Sequence, residues 1–190
     1  TLDQVANRIE FLETLVWVTG AFVGYILVPL FVIRFVLRQR LSEFGLIPSG
    51  YWRHLPMYVG LFLPVFVGVV AVSGTDGFRA TYPFYRDPES WTFLLIWELL
   101  YGLQFVGLEV FFRGFLLHGL KHRYGSAALW IMLLPYVMIH FTKPVLEASG
   151  AVVAGIVLGL LSLRTRSIWG GVTIHVAVAW AMDALVLYQT

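Results

Sequence analysis

The chain has 190 residues, 59% of them hydrophobic and 13% charged, with a mean hydropathy of +0.80. Ordinary soluble domains are about 45–50% apolar and about 25% charged, so this composition specifies an integral membrane protein. A net charge of +2, carried in short loops, offers no nucleic-acid surface, and the absence of cysteine excludes disulfides, a thiol nucleophile and a Cys-ligated metal.

The polar stretch 1–10 mixes acidic and basic residues and does not resemble the basic start of a signal peptide. A membrane-spanning helix needs about 20 mostly apolar residues, within a range of roughly 17–25. Six segments approach that length: Leu12 to Leu37, Leu55 to Val72, Trp91 to Leu120, Ser126 to Phe141, Ala148 to Leu163, and Ile168 to Tyr188. The expected fold is therefore all-α, a polytopic bundle of about six transmembrane helices forming one domain over 1–190. The fourth and fifth segments are short, which predicts ends that stop inside the protein. Trp17, Trp52, Trp91, Trp130 and Trp169 lie near segment ends, where aromatic residues anchor helices at the membrane interface.

The loops alternate in charge. Arg38, Arg40 and Arg53 follow the first segment, Lys121 and Arg123 the third, and Arg164 and Arg166 the fifth. The intervening loops balance Asp76, Asp87 and Glu89 against Arg79 and Arg86, and Lys143 against Glu147. Excess Lys and Arg marks cytoplasmic loops, which puts both termini outside the cytoplasm, with a bacterial inner membrane as the expected location.

Within these segments stand Glu109, Arg113, His140 and His175. An ionisable side chain in lipid costs a few kcal/mol and ordinarily faces a bundle interior or a wet cavity. Counting ~1.5 Å per residue from the basic loops, Glu109 lies ~18 Å deep, His140 ~24 Å, His175 ~14 Å and Asp183 ~26 Å. Glu109 and Arg113 are four apart on one helix face and are expected to form a buried pair. Spacing alone is equally consistent with interhelical hydrogen-bond glue and with a catalytic or transport site.

The order of these residues is informative. Glu109-Val-Phe-Phe-Arg113-Gly114 followed by a hydrophobic run, then Tyr136-x-x-x-His140, then His175, resembles the motifs of the CPBP (CAAX protease and bacteriocin-processing, also called Abi) family of intramembrane endopeptidases. The resemblance runs from about Phe78 to the C-terminus. It implies a peptide hydrolase in which Glu109 and His140 activate water while the last-helix histidine, His175, and a partner stabilise the oxyanion. It also implies a membrane-bound peptide substrate, prenylated in some members. Arg113 is the motif's basic residue. Aligned on Arg113, Leu108 occupies the place of the first Glu in the family's E-E-x-x-x-R. Four residues after His175, where the family carries Asn or Asp, stands Ala179; Asp183, eight residues on and about 80° round the helix, is the nearest polar substitute. These departures raise the alternative of a catalytically impaired member serving as subunit, scaffold or chaperone of a larger membrane complex.

Other readings compete. Glu147 could supply a second carboxylate if its loop folds inward, but an acid at the start of a helix is the better reading. Zinc or another divalent metal on His140, His175 and Glu109 is the rival to metal-free catalysis, although no H-E-x-x-H is present. Ser149 before Gly150 suggests a serine protease only weakly, since a small Ser among Gly and Ala usually serves helix packing, as does Gly155-x-x-x-Gly159. His118 and His122 flank Lys121 and read as interfacial, and Glu98 as lying toward the outer side. A small transporter is less favoured because no paired discontinuous segments are visible. Apart from membrane lipids and the substrate or complex subunits, the sequence implies no partner, and no cofactor beyond that metal.

Overall fold

A computed structural model describes residues 2–83, 85, 90–143 and 145–189. Helix α1 runs without a break through Leu2–Phe22, Val23–Leu27, Val28–Phe31 and Val32–Val36, the second and fourth pieces being π-helical. Helix α2 is Tyr51–Val72, α3 the short Asp76–Thr81, α5 Ala127–Met138, α6 Val145–Thr165 and α7 Trp169–Gln189. Helix α4 is the longest apolar span, Trp91–Tyr124, with α-helical ends around a π-helical stretch Glu109–His118. Five of these helices are long and apolar enough to cross a membrane, and α5 is a shorter apolar helix. The all-α, polytopic reading therefore holds. Arg86, Asp87 and Glu89, counted above in an outer loop, lie outside the described residues.

The boundaries follow local chemistry. Ser90 caps α4 by accepting from the Phe93 amide, and Thr75 caps α3 by accepting from the Phe78 amide. Gly125, at φ +55°, ends α4. Helix α5 stops at Met138, so His140 sits on the turn beyond it, three residues before the chain reaches Lys143.

Helices α4 and α7 form the centre. Helix α1 packs on α4, α2 packs along α7, and the α5–α6 pair closes against the π-helical stretch of α4. The α5–α6 approach is close because Gly155 and Gly159 carry no Cβ where one would strike Leu133 and Tyr136, or Leu129 and Met132. Gly170 serves the α2–α7 contact in the same way, admitting the ring of Tyr58. The outer surface is hydrocarbon: Trp52 and Trp91 are 78% and 80% exposed, and Trp17 and Trp130 also face outward as interface anchors would. Trp169 differs. Its indole N–H donates to the Leu46 carbonyl at 3.0 Å, so it ties a loop rather than facing lipid.

That loop is a floor beneath the bundle. The 3-10 turn Leu41–Phe44 buries Phe44, Gly45 turns back at φ +70°, and the Gly45 carbonyl accepts from the Ile168 amide at 3.0 Å. Gly114 and Gly119 on α4 leave room for Leu46 and Phe44 respectively. Leu46 then packs against the cluster of Val110, Ile168 and Val172.

Candidate active site

Glu109 and Arg113 are both fully buried, and the Arg113 guanidinium reaches Glu109 Oε1 at 3.1 Å. The predicted pair is present. It lies in the π-helical stretch of α4, a winding that recurs at functional sites. The guanidinium carbon also stacks 4.0 Å from the centre of the Tyr136 ring on α5, a cation–π contact in a dry interior.

His175 completes the Glu109 environment. Its Nδ1 lies 3.2 Å from the same Oε1. An ionised carboxylate only accepts, so Nδ1 carries the proton and the lone pair sits on Nε2. The His175 side chain is 15% exposed whereas Glu109 is sealed, so the imidazole is the accessible end of this dyad. Glu109 Oε2 faces α7, where a Cβ on Gly171 would come within 2.5 Å of it. Glycine is required there for the carboxylate to lie against the helix. Gly171→Ala should push Glu109 off His175 and cost about 1–3 kcal/mol, as overpacking does; thermal unfolding in detergent and loss of turnover would register it.

His140 belongs to the same neighbourhood. Its Nδ1 donates to the Tyr136 carbonyl at 2.9 Å, which again leaves the lone pair on Nε2. Its ring lies 4.9 Å from the Tyr136 ring, and His175 lies 6.5 Å from that same ring. Tyr136 is thus the hub around which Arg113, His140 and His175 gather. Phe105 backs His175 at 4.7 Å, and Phe112 closes the other side of Tyr136.

Asp183 keeps different company. It is fully buried, but its neighbours are Trp97, Glu98, Tyr101 and Lys143 rather than Glu109. Eight residues along α7 amount to ~12 Å, which carries it out of reach of the His175–Glu109 contact. Ala179, one turn from His175, is buried in an apolar cluster with Leu94, Trp97 and Tyr101. A run of contacting rings, Tyr85 to Trp97 to Tyr101 to Phe105 to His175, links the two regions at centroid distances of 5.6, 5.9, 4.9 and 4.7 Å.

Glu147 sits in the first turn of α6, as a helix-start acid should. It also accepts from the Tyr82 hydroxyl at 2.8 Å and lies 3.8 Å from Lys143 Nζ. Burial above all, then the neighbouring Tyr101 and Glu147 charges, holds the Tyr82 hydroxyl far above its ordinary range, so it remains a donor. Burial lowers the Lys143 ammonium, against the pull of Glu147. Ser149 is exposed and donates to the Leu146 carbonyl at 3.0 Å, a bond within its own helix.

His118 departs from the interfacial reading. It is 2% exposed, accepts from Lys121 Nζ at 2.7 Å and donates through Nε2 to Ser162 Oγ at 2.9 Å. Because its Nε2 carries the proton, it cannot activate that serine; it ties α4 to α6. Its neighbour His122 is exposed.

A divalent metal does not suit these residues. Among those described, no three His, Asp or Glu side chains come together so as to hold an ion. Glu109 Oε1 is already shared between a guanidinium and an imidazole N–H, and that cation beside it opposes a second one.

Residues 90–181 match the family model described as Rce1-like, type II CAAX prenyl endopeptidase Rce1-like. The match takes in Glu109, Arg113, His140 and His175 and stops short of Asp183. No curated protein and no solved structure matches the chain. Residues 90–181, which contain the whole Glu109–His175 site, are thus similar to CAAX-protease-type membrane proteins.

Proposed function

We propose that the protein is an intramembrane endopeptidase that hydrolyses a peptide bond of a membrane-bound substrate by activating water. The observation that carries this is the Glu109–His175 dyad: a sealed carboxylate, fixed by Arg113, that orients a partly accessible imidazole with its lone pair outward. This is the arrangement a general base requires. Water approaching His175 Nε2 loses a proton to it, and the oxygen attacks the scissile carbonyl carbon. Glu109 stabilises the imidazolium so formed, and that proton then passes to the leaving amine. His140, whose ring also lies against Tyr136, offers a second lone pair on Nε2 able to accept from the attacking water.

One observation favours the alternative of a non-catalytic subunit. Leu108, where the resemblance implies a second carboxylate, is buried among Met132, Leu133, Tyr136 and Ala151 in continuous hydrocarbon. Comparing peptide termini in membranes that contain the intact chain or its Glu109→Gln variant separates the two. New termini that appear only with the intact chain support hydrolysis. Identical termini, with both forms retained in one membrane complex, support the subunit role.

We also propose that the Arg38–Arg53, Lys121–Arg123 and Arg164–Arg166 loops face the cytoplasm, on the strength of their charge bias. The chain has no native cysteine, so a single introduced one reports cleanly. Ser126→Cys, at an exposed position, should be labelled from the cytoplasmic side; labelling only from outside would reverse the orientation.

A further inference from the structure

An open groove of about 480 Å³ runs along α7, lined there by Trp169, Val172, Thr173, Val176, Ala177 and Trp180. These residues centre about 130° round the helix from His175, so the groove is separate from the Glu109 site. Pro48 and Tyr51 line it as well. Every polar side chain in the lining is already committed within the protein. The Thr173 hydroxyl donates to the Trp169 carbonyl at 2.9 Å, so the Tyr51 hydroxyl donates to Thr173 Oγ1 at 2.7 Å. The indoles of Trp169 and Trp180 donate to the Leu46 and Glu98 carbonyls at 3.0 and 2.9 Å. A peptide laid there would find no side chain to satisfy its amides, which is costly in an apolar setting. A hydrocarbon chain needs none.

The groove also has the length and the charge of one lipid leaflet. From Trp169 to Trp180 the helix rises ~16 Å, close to half the ~30 Å hydrocarbon core. Its Pro48 and Trp169 end is the basic end of the bundle: the loops 38–53, 121–126 and 164–168 carry seven Lys or Arg against one acid, Glu43. Arg166 lies three residues before Trp169, and Arg53 two residues after Tyr51; both are exposed.

We infer that this groove is a binding site for an anionic phospholipid, with an acyl chain along α7 and the headgroup phosphate among the arginines at the basic end. The inference does not depend on hydrolysis. The turn that carries Arg166 is rigid. Thr165 donates to the Ser167 carbonyl at 3.1 Å, and the Ile168 amide donates to the Gly45 carbonyl at 3.0 Å. Arg166 itself stands at φ +55°, a left-handed conformation that is unfavourable for a residue with a Cβ. The cation is therefore fixed at the headgroup level, where Lys and Arg attract anionic lipid. A zwitterionic lipid would fill the groove equally well but would gain less from this end.

The test places the full chain in phosphatidylcholine nanodiscs with a trace of phosphatidylglycerol bearing a diazirine in its acyl chain. After illumination, peptide mapping locates the label. Labelling within 169–180 should saturate, and unlabelled phosphatidylglycerol should displace it about 25-fold more effectively than phosphatidylcholine, from two cationic contacts near the surface at about fivefold each. Ala177→Phe, which fills the groove, should remove the 169–180 label while lipid-facing α2 is labelled as before. Arg53→Gln with Arg166→Gln should lose most of the preference while labelling persists, so the test stands even where Ala177→Phe lowers the thermal midpoint. Equal displacement by both lipids, or an unchanged preference in the double variant, overturns the inference. So does unsaturable labelling spread evenly over the helices, or none within 169–180, as when a helix of another chain covers the groove.

Discussion

Replacing Glu109 by Gln should lower peptide turnover by about three orders of magnitude, the middle of the range that general acid–base groups contribute. Glutamine keeps the shape and can still accept from His175 Nδ1, so the helices should remain packed. What disappears is the negative charge that stabilises a protonated His175 as water is deprotonated. Single-turnover kinetics should place the loss in the chemical step, with substrate binding little changed. Loss on Glu147→Gln with Glu109→Gln still active would move the catalytic carboxylate to the start of α6. The Tyr82 and Lys143 contacts of Glu147 predict the opposite.

Arg113→Leu should destabilise the fold by about 3–5 kcal/mol, because it leaves an uncompensated carboxylate in a buried position. The loss should exceed that of removing both charges. A Glu109→Leu, Arg113→Leu double variant replaces the pair with apolar groups, so it should unfold later than Arg113→Leu alone. Thermal midpoints of the three variants in one detergent measure the ordering directly. Equal midpoints for single and double variants would mean that Glu109 is neutralised some other way when Arg113 is lost. The cation–π contact adds a smaller share, since leucine also vacates the face of Tyr136.

The spans were legible because lipid imposes one rule, a continuous apolar run of sufficient length. The Glu109–Arg113 pair was legible because two charges four apart in such a run have little choice but each other. The end of α5 was not. Hydropathy continues through Phe141, whereas the helix stops at Met138, and that stop is what frees His140 to turn back onto the Tyr136 carbonyl. The sequence gives Asp183 the right helix and approximate face, but depth along α7 separates it from Glu109. His118 misled because a histidine beside Lys121 and Arg123 looks solvated; the docked loop around Phe44 and Gly45 covers it. Gly170 and Gly171 carry a signal in the sequence. Two adjacent glycines at the start of a helix lower its propensity, so their presence implies something pressed against them. Here the objects are Tyr58 and the Glu109 carboxylate.

The π-helical winding of Glu109–His118 alters what residue counting means in this part of the chain. Each wide turn holds one more residue than an α-turn, so later side chains are rotated relative to where α geometry would aim them. A deletion of one residue just after Arg113 could therefore be absorbed by rewinding a wide turn to α, leaving Glu109 and Arg113 in register with their partners. The same deletion in the α-helical stretch Trp91–Leu108 has no such slack and would swing Trp97 and Tyr101 about 100° from α7. Length variation among homologous chains should then collect between Arg113 and His118, and alignments that penalise gaps uniformly across this helix will misplace its motif.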